Sequence, residues 1–207
     1  MSDPQPIEEL DALSASAFVD AVGHLFEGAP GFLGRLAIDR PYGSWWNLLT
    51  RARVIAQAMP EAEQIELLNA HPRLGAPPEA VSEISYREQG YDREPRESPA
   101  ADASARPTWG SAASAGAAPS RVAPSGAAEL DPVGTAEGDT TRAQLARLNA
   151  AYEDWFGFRY CVFVAGRSLE TLIPELEAAL VRPRDQELHR GIDAVMDIAA
   201  ARSGAAR

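Results

Sequence analysis

Between Asp92 and about Thr140 the chain carries no sustained apolar period, and that stretch limits how the rest can fold. Pro, Ala, Ser, Gly and charged residues alternate there, as in Ser111-Ala112-Ala113-Ser114-Ala115-Gly116, with Trp109 the only aromatic. Such a segment buries too little apolar surface to offset the entropy of ordering it. A disordered insertion within one domain is therefore expected at about 92–140. The alternative is a tethered lid over a site. Residues 1–13, rich in proline and acid, are expected to be a flexible N-terminus. One core must then come from the flanks, about 14–91 and 141–207, which are long enough to build it.

Both flanks read as helices with clear stops. Ser14 or Ser16 caps a helix with Phe18, Val22, Leu25 and Phe26 on one face, broken at Gly28-Ala29-Pro30-Gly31. Phe32, Leu33 and Leu36 mark a short second helix, and Arg40-Pro41-Tyr42-Gly43 a turn. Ser44 caps a third through Leu48, Leu49 and Ile55, and a fourth runs from about 61 to His71. Pro77-Pro78 opens another, expected to continue through Val81, Ile84 and Ser85 to Glu88-Gln89. Order resumes near Thr141 with Leu145, Leu148, Tyr152 and Phe156. Residues 156–164 are almost wholly apolar, and periodicity does not separate a buried strand from a buried helix start there. Ser168 caps a helix through Leu172, Leu176 and Leu180. The last helix shows Leu188, Ile192, Val195, Ala199 and Arg202 at alternating spacings of four and three. The pattern predicts an all-α fold, a single compact domain of about seven to nine helices.

Charge and composition narrow the chemistry. A net charge of -11 argues against nucleic acid or an anionic membrane surface as partner. The lone Cys161 excludes an intramolecular disulfide and suits a reducing compartment. With no secretory pattern at its start, the chain is expected in the cytoplasm. All 19 basic residues are arginine, so neither Schiff-base chemistry on a lysine nor a lysine-anchored pyridoxal is available. His24, His71 and His189 lie far apart with no ligand spacing, and no metal site is expected.

Three polar groups are candidates for one inward site. Leu67 and Leu68 share a face with His71, which Pro72 fixes at a helix end. The partial negative charge of that end is expected to favour the protonated ring, as in a proton donor. The other reading of His71 is a core histidine bonded to a backbone carbonyl. Arg202 closes an apolar stripe, where a guanidinium must meet a carboxylate or a ligand unless the helix frays before it. Ser85 and Glu88 stand one turn apart and can face the same pocket, or form a capping box and a solvated helix end. A His/Glu pair with an arginine is compatible with proton transfer on a small anionic substrate.

Six blocks in order carry a more specific signal: Arg40-Pro41-Tyr42; Ala70-His71-Pro72; Ser85-Tyr86-Arg87-Glu88-Gln89; Leu148-Asn149-Ala150-Ala151-Tyr152; Phe156-Gly157-Phe158; and Ile198-Ala199-Ala200-Ala201-Arg202. With these the chain resembles the 2-oxo-4-hydroxy-4-carboxy-5-ureidoimidazoline (OHCU) decarboxylase family, which acts in urate breakdown. The resemblance implies a helical domain that needs no cofactor, converts that ureidoimidazoline to (S)-allantoin, and pairs as a homodimer. By the same resemblance His71 would be the proton donor, with Glu88 as its partner. Pro72, Ser85, Tyr86, Arg87, Gln89, Tyr160, Cys161, Val162, Phe163, Val164 and Arg202 would line the substrate pocket. The chain departs from the family pattern at Arg159 and Tyr160, where the usual word is Pro-Phe, and at Arg73, where many members carry an acid. Two competing readings are a non-catalytic helical module that binds a small anion or a partner protein, and a decarboxylase for a related ureido acid.

Overall fold

The computed structural model describes residues 5–92 and 134–204, with side chains from Thr140 in the second segment. It contains α1 (Ile7–Ala12), α2 (Ala15–Val22) running into a 3-10 turn (Gly23–Phe26), α3 (Pro30–Asp39), α4 (Trp45–Ala58) and α5 (Glu61–Ala70). A second 3-10 turn (Pro78–Ala80), α6 (Glu83–Glu88), α7 (Gly134–Phe156), α8 (Leu169–Ala179) and α9 (Arg184–Ser203) follow. No strand occurs among the described residues, and the all-α expectation holds. None of the described helices is long and apolar enough to cross a membrane.

The architecture is organised around α9. Its stripe of Leu188, Ile192, Val195 and Ala199 is buried as its spacing demands, and Gly191 and Met196 are buried on neighbouring faces. The helix packs against α4, α5 and the Gly23–Phe26 turn. Gly191 lets α5 approach closely, since a Cβ there would stand 3.3 Å from two Leu68 methyl carbons. Ser14 and Ser44 cap α2 and α4 through bonds from Ala17 N and Asn47 N.

Three local expectations change. The N-terminal stretch is helical from Ile7, because Ile7 and Leu10 are buried and the Asp11 carboxylate accepts from the amides of Tyr42 and Gly43. A six-residue helix is too short to declare itself by period. Next, the helix expected from Pro77 to Gln89 is two pieces, since Val81 is extended and Ser82 starts a new helix by capping Ser85 N. Finally, α7 starts at Gly134 instead of near Thr141. About two extra turns propagate cheaply from a formed helix and need no apolar face. The expected insertion otherwise lies outside the described residues.

The loop after α5 is tied to α6. Gln89 accepts from Gly75 N at 2.8 Å, and the Tyr91 hydroxyl donates to Ala76 O at 2.6 Å. Gly75 has φ +73°, and a Cβ there would sit 2.8 Å from Leu145 Cδ1. A Gly75→Ala chain is therefore expected to lose about 1–3 kcal/mol in denaturant unfolding, from a strained backbone and an overfilled contact.

Candidate active site

Leu67 and Leu68 pack into the core, and His71 follows as the C-cap of α5, a residue only 3 % exposed. Nδ1 lies 3.0 Å from Leu67 O. A carbonyl only accepts, so Nδ1 carries the hydrogen and Nε2 of the neutral ring holds a free lone pair. Nε2 is buried without a hydrogen-bond partner. The reading of His71 as a core histidine bonded to a backbone carbonyl holds for Nδ1, while Nε2 has no such partner.

The protonation state reverses the expectation from the helix end. Burial pushes the His71 pKa down to about 4, and the positive charges of Arg202 and Arg159 act in the same direction. The Leu67 carbonyl and the charge of Glu27 oppose this without prevailing. A helix terminus supplies at most about 2 kcal/mol in favour of the cation, whereas full burial shifts pKa values by as much as about 3–5 units. The ring is neutral at physiological pH.

Arg202 reaches the site from the last turn of α9, its side chain 2 % exposed. Its Nε and Nη2 grip the two oxygens of Glu88 at 2.8 Å each. Nη2 also donates to Glu27 Oε1 at 2.7 Å and to Ser85 Oγ at 3.0 Å, and Nη1 donates to His24 O at 2.9 Å. Carboxylates therefore meet the buried guanidinium, as the apolar stripe requires. Burial raises the Glu27 pKa, but the Ser85 hydrogen bond and the Arg202 charge outweigh it and hold the carboxyl below its usual range. Glu88 makes no direct bond to His71; both of its oxygens are engaged by Arg202.

The third wall is the segment after α7. Tyr152, Phe156, Phe158 and Tyr160 stack around one another, with ring centroids 4.6–5.8 Å apart. From Arg159 to Val164 the chain belongs to neither a helix nor a strand. Arg190 holds this wall by donating to Cys161 O at 2.9 Å. The Cys161 thiol is pushed up to about 12 by burial and contacts Leu68 O at 3.5 Å, so it is no nucleophile. Arg159 donates to the carbonyls of Asn69 and His71 at 2.6 and 2.8 Å. It fixes the end of α5 where the family word carries proline.

These elements enclose a cavity of about 580 Å³. His71, Pro72, Ser85, Arg87, Glu88, Gln89, Tyr160, Cys161, Val162, Phe163, Val164 and Arg202 all line it. Tyr86 does not: its ring packs 5.3 Å from that of Tyr91, and its hydroxyl donates to Tyr91 O. Residues not anticipated from the sequence also line the cavity: His24, Leu74, Ile84, Ala165, Gly166, Ile198 and Ala201. Ile198 stands one helical turn before Arg202, a spacing that marks the same face. Glu27 had no comparable signal, since it follows an irregular turn.

Fold and site together define a protein that is all-helical among its described residues, with a pocket lined by a neutral imidazole and a carboxylate-held arginine. Among the described residues no cluster of three or more His, Cys, Asp or Glu side chains stands ready to hold a metal ion. The chain belongs to the OHCU decarboxylase family, whose model matches residues 11–106 and 104–203. It is 28 % identical over 196 residues to the 2-oxo-4-hydroxy-4-carboxy-5-ureidoimidazoline decarboxylase of Halalkalicoccus jeotgali, covering 95 % of this chain and 88 % of that one. The enzyme of the same description from Haloferax volcanii is 24 % identical over 193 residues, covering 93 % and 90 %. A crystal structure of OHCU decarboxylase in the presence of (S)-allantoin shares the fold with a TM-score of 0.57 at 16 % identity, over 89 % of this chain and 95 % of that one. That of (S)-allantoin synthase does so with a TM-score of 0.58 at 16 % identity, over 97 % of this chain and 53 % of that one.

Proposed function

We propose that this chain removes the carboxylate of 2-oxo-4-hydroxy-4-carboxy-5-ureidoimidazoline as carbon dioxide and yields (S)-allantoin, with His71 moving the proton. One observation carries the reading: the buried imidazole lines the cavity with Nδ1 engaged by Leu67 and Nε2 unpartnered. In this substrate a hydroxyl and a carboxylate share carbon 4, beside a carbon–nitrogen double bond at carbon 5. When the bond to the carboxylate breaks, its electron pair joins carbons 4 and 5, and the imine pair moves to the ring nitrogen. That nitrogen takes up a solvent proton. The ring itself is the electron sink, so the reaction needs no cofactor.

Neutral Nε2 is an acceptor before it is a donor. It takes the hydroxyl proton from carbon 4 and returns it to carbon 5 as the enol becomes a carbonyl. Delivery from one side gives one enantiomer. Charge gathers on the ring nitrogen and on the carbonyl at carbon 2, and the Arg202 guanidinium is the cation that stabilises it. The carboxylate leaves beside Val162, Phe163 and Ile198, side chains that solvate an anion poorly. Freshly generated substrate tests the reading: the enzyme is expected to release carbon dioxide faster than the spontaneous reaction and to give optically active allantoin. An unchanged rate with racemic product would leave a non-catalytic module.

The homodimer and the cytoplasmic location belong to the same proposal. Ile38, Trp46 and Val54, exposed on α3 and α4, are apolar positions available to a second copy, and sedimentation reads the resulting mass.

A further inference from the structure

Arg202 has more negative charge around it than neutrality requires. With Glu88 it already forms a neutral two-pronged pair, at 2.8 Å on each prong. Glu27 adds a second carboxylate 2.7 Å from Nη2 and leaves the trio net negative, which opposes an anionic ligand. Its contribution must lie elsewhere, and the contacts indicate where. A single oxygen, Oε1, accepts from Arg202 Nη2 at 2.7 Å, Ser85 Oγ at 2.7 Å and Ser82 Oγ at 3.0 Å. Ser82 caps α6 and Ser85 lines the cavity, so this one atom ties α6 to α9. Glu27 does so from a left-handed backbone (φ 51°), which residues other than glycine keep only where their surroundings hold them.

The two carboxylates are not equivalent. Glu27 is 14 % exposed and stands outside the cavity lining, while Glu88 is 27 % exposed, lies on the wall and, among the described residues, bonds only Arg202. We infer that Glu27 is a positioning residue: the reach of its Oε1 fixes Arg202 and Ser85 on the wall, so that Glu88 alone yields its place on Arg202 to the substrate. This rests on the decarboxylase reading above.

Two substitutions separate reach from charge. Glu27→Gln keeps an accepting oxygen at the same reach and loses the charge. Glu27→Asp keeps the charge and draws the carboxylate back by one methylene; aspartate tolerates a left-handed backbone well. Wild-type turnover on freshly generated substrate is measured first and decides the decarboxylase reading by itself. Glu27→Gln is then expected to keep a KM close to wild type. Glu27→Asp is expected to raise KM about tenfold, the size of one lost hydrogen bond to a charged group. A purely structural role would lower the folded, active fraction and leave KM alone. The reverse order of KM values, or equal KM in the two variants, overturns the inference.

Discussion

A His71→Ala enzyme is expected to keep its fold and lose about a hundred- to ten-thousandfold in turnover, the range a positioned proton-transfer group contributes. Its stability falls little, because the removed ring borders an existing cavity and gives up one bond to Leu67 O, worth about 1 kcal/mol. Wild-type turnover in this variant would remove the imidazole from the reaction. The pH profile of the wild type carries the same information from the other side. The reaction starts from the neutral ring, and burial holds its pKa near 4. On this account kcat/KM stays flat down to about pH 5 and falls as the pH drops through 4, where an ordinary histidine would fail near 6.5. Stability follows with the same sign. The unfolded chain binds a proton at His71 more readily than the folded one, so this group's contribution is present above pH 6.5. It is lost as the pH falls toward 4. Denaturant unfolding across that window, compared with a His71→Asn chain lacking the group, measures the slope.

Helical spacing carries direction, and that is why much of the site is legible in the sequence. Leu67, Leu68 and His71 point inward together, as do Leu188, Ile192, Val195, Ala199 and Arg202, because each set keeps to one face. Spacing does not carry the identity of a partner. Glu88 meets Arg202 instead of His71 because Ser82, Gln89 and Tyr91 orient α6, and none of those contacts is periodic. Reading Ser85 to Gln89 as one continuous lining also asks too much of a helix. Successive residues there turn by about 100°, so one side chain of the five faces away, and it is Tyr86. The charge at the end of α5 is visible in sequence, but the depth of burial that outweighs it is a property of the packed whole. Glu27 is the least legible of all: its role depends on a left-handed turn and two helices that arrive much later in the chain.

Replacing Arg202 with methionine is expected to cost about 3–5 kcal/mol, because it leaves two partly buried carboxylates without their cation. The lower end of that range is the better expectation, since Glu88 is 27 % exposed and can turn toward water. The pH dependence distinguishes this mechanism from simple loss of packing. In the wild type the Glu27 carboxyl is held below its usual value of 4.5, so its stabilisation is present above that pH and lost on acidification. Without the guanidinium, burial still pushes the same carboxyl upward and only the Ser85 and Ser82 hydrogen bonds hold it down, so it titrates higher than in the wild type. The variant then gains relative stability as the pH falls toward 4.5. The difference in unfolding free energy between the two enzymes is therefore expected to be wide at pH 7 and to narrow near pH 4; a difference that does not change with pH would mean the cost is packing alone. Turnover in Arg202→Met falls about a hundred- to a thousandfold, the loss typical of one preorganised donor aimed at developing charge. Arg202→Lys separates the two roles. An ammonium restores the cation between Glu27 and Glu88, and with it most of the stability at neutral pH. It cannot reproduce the planar fork, so turnover recovers far less than stability does.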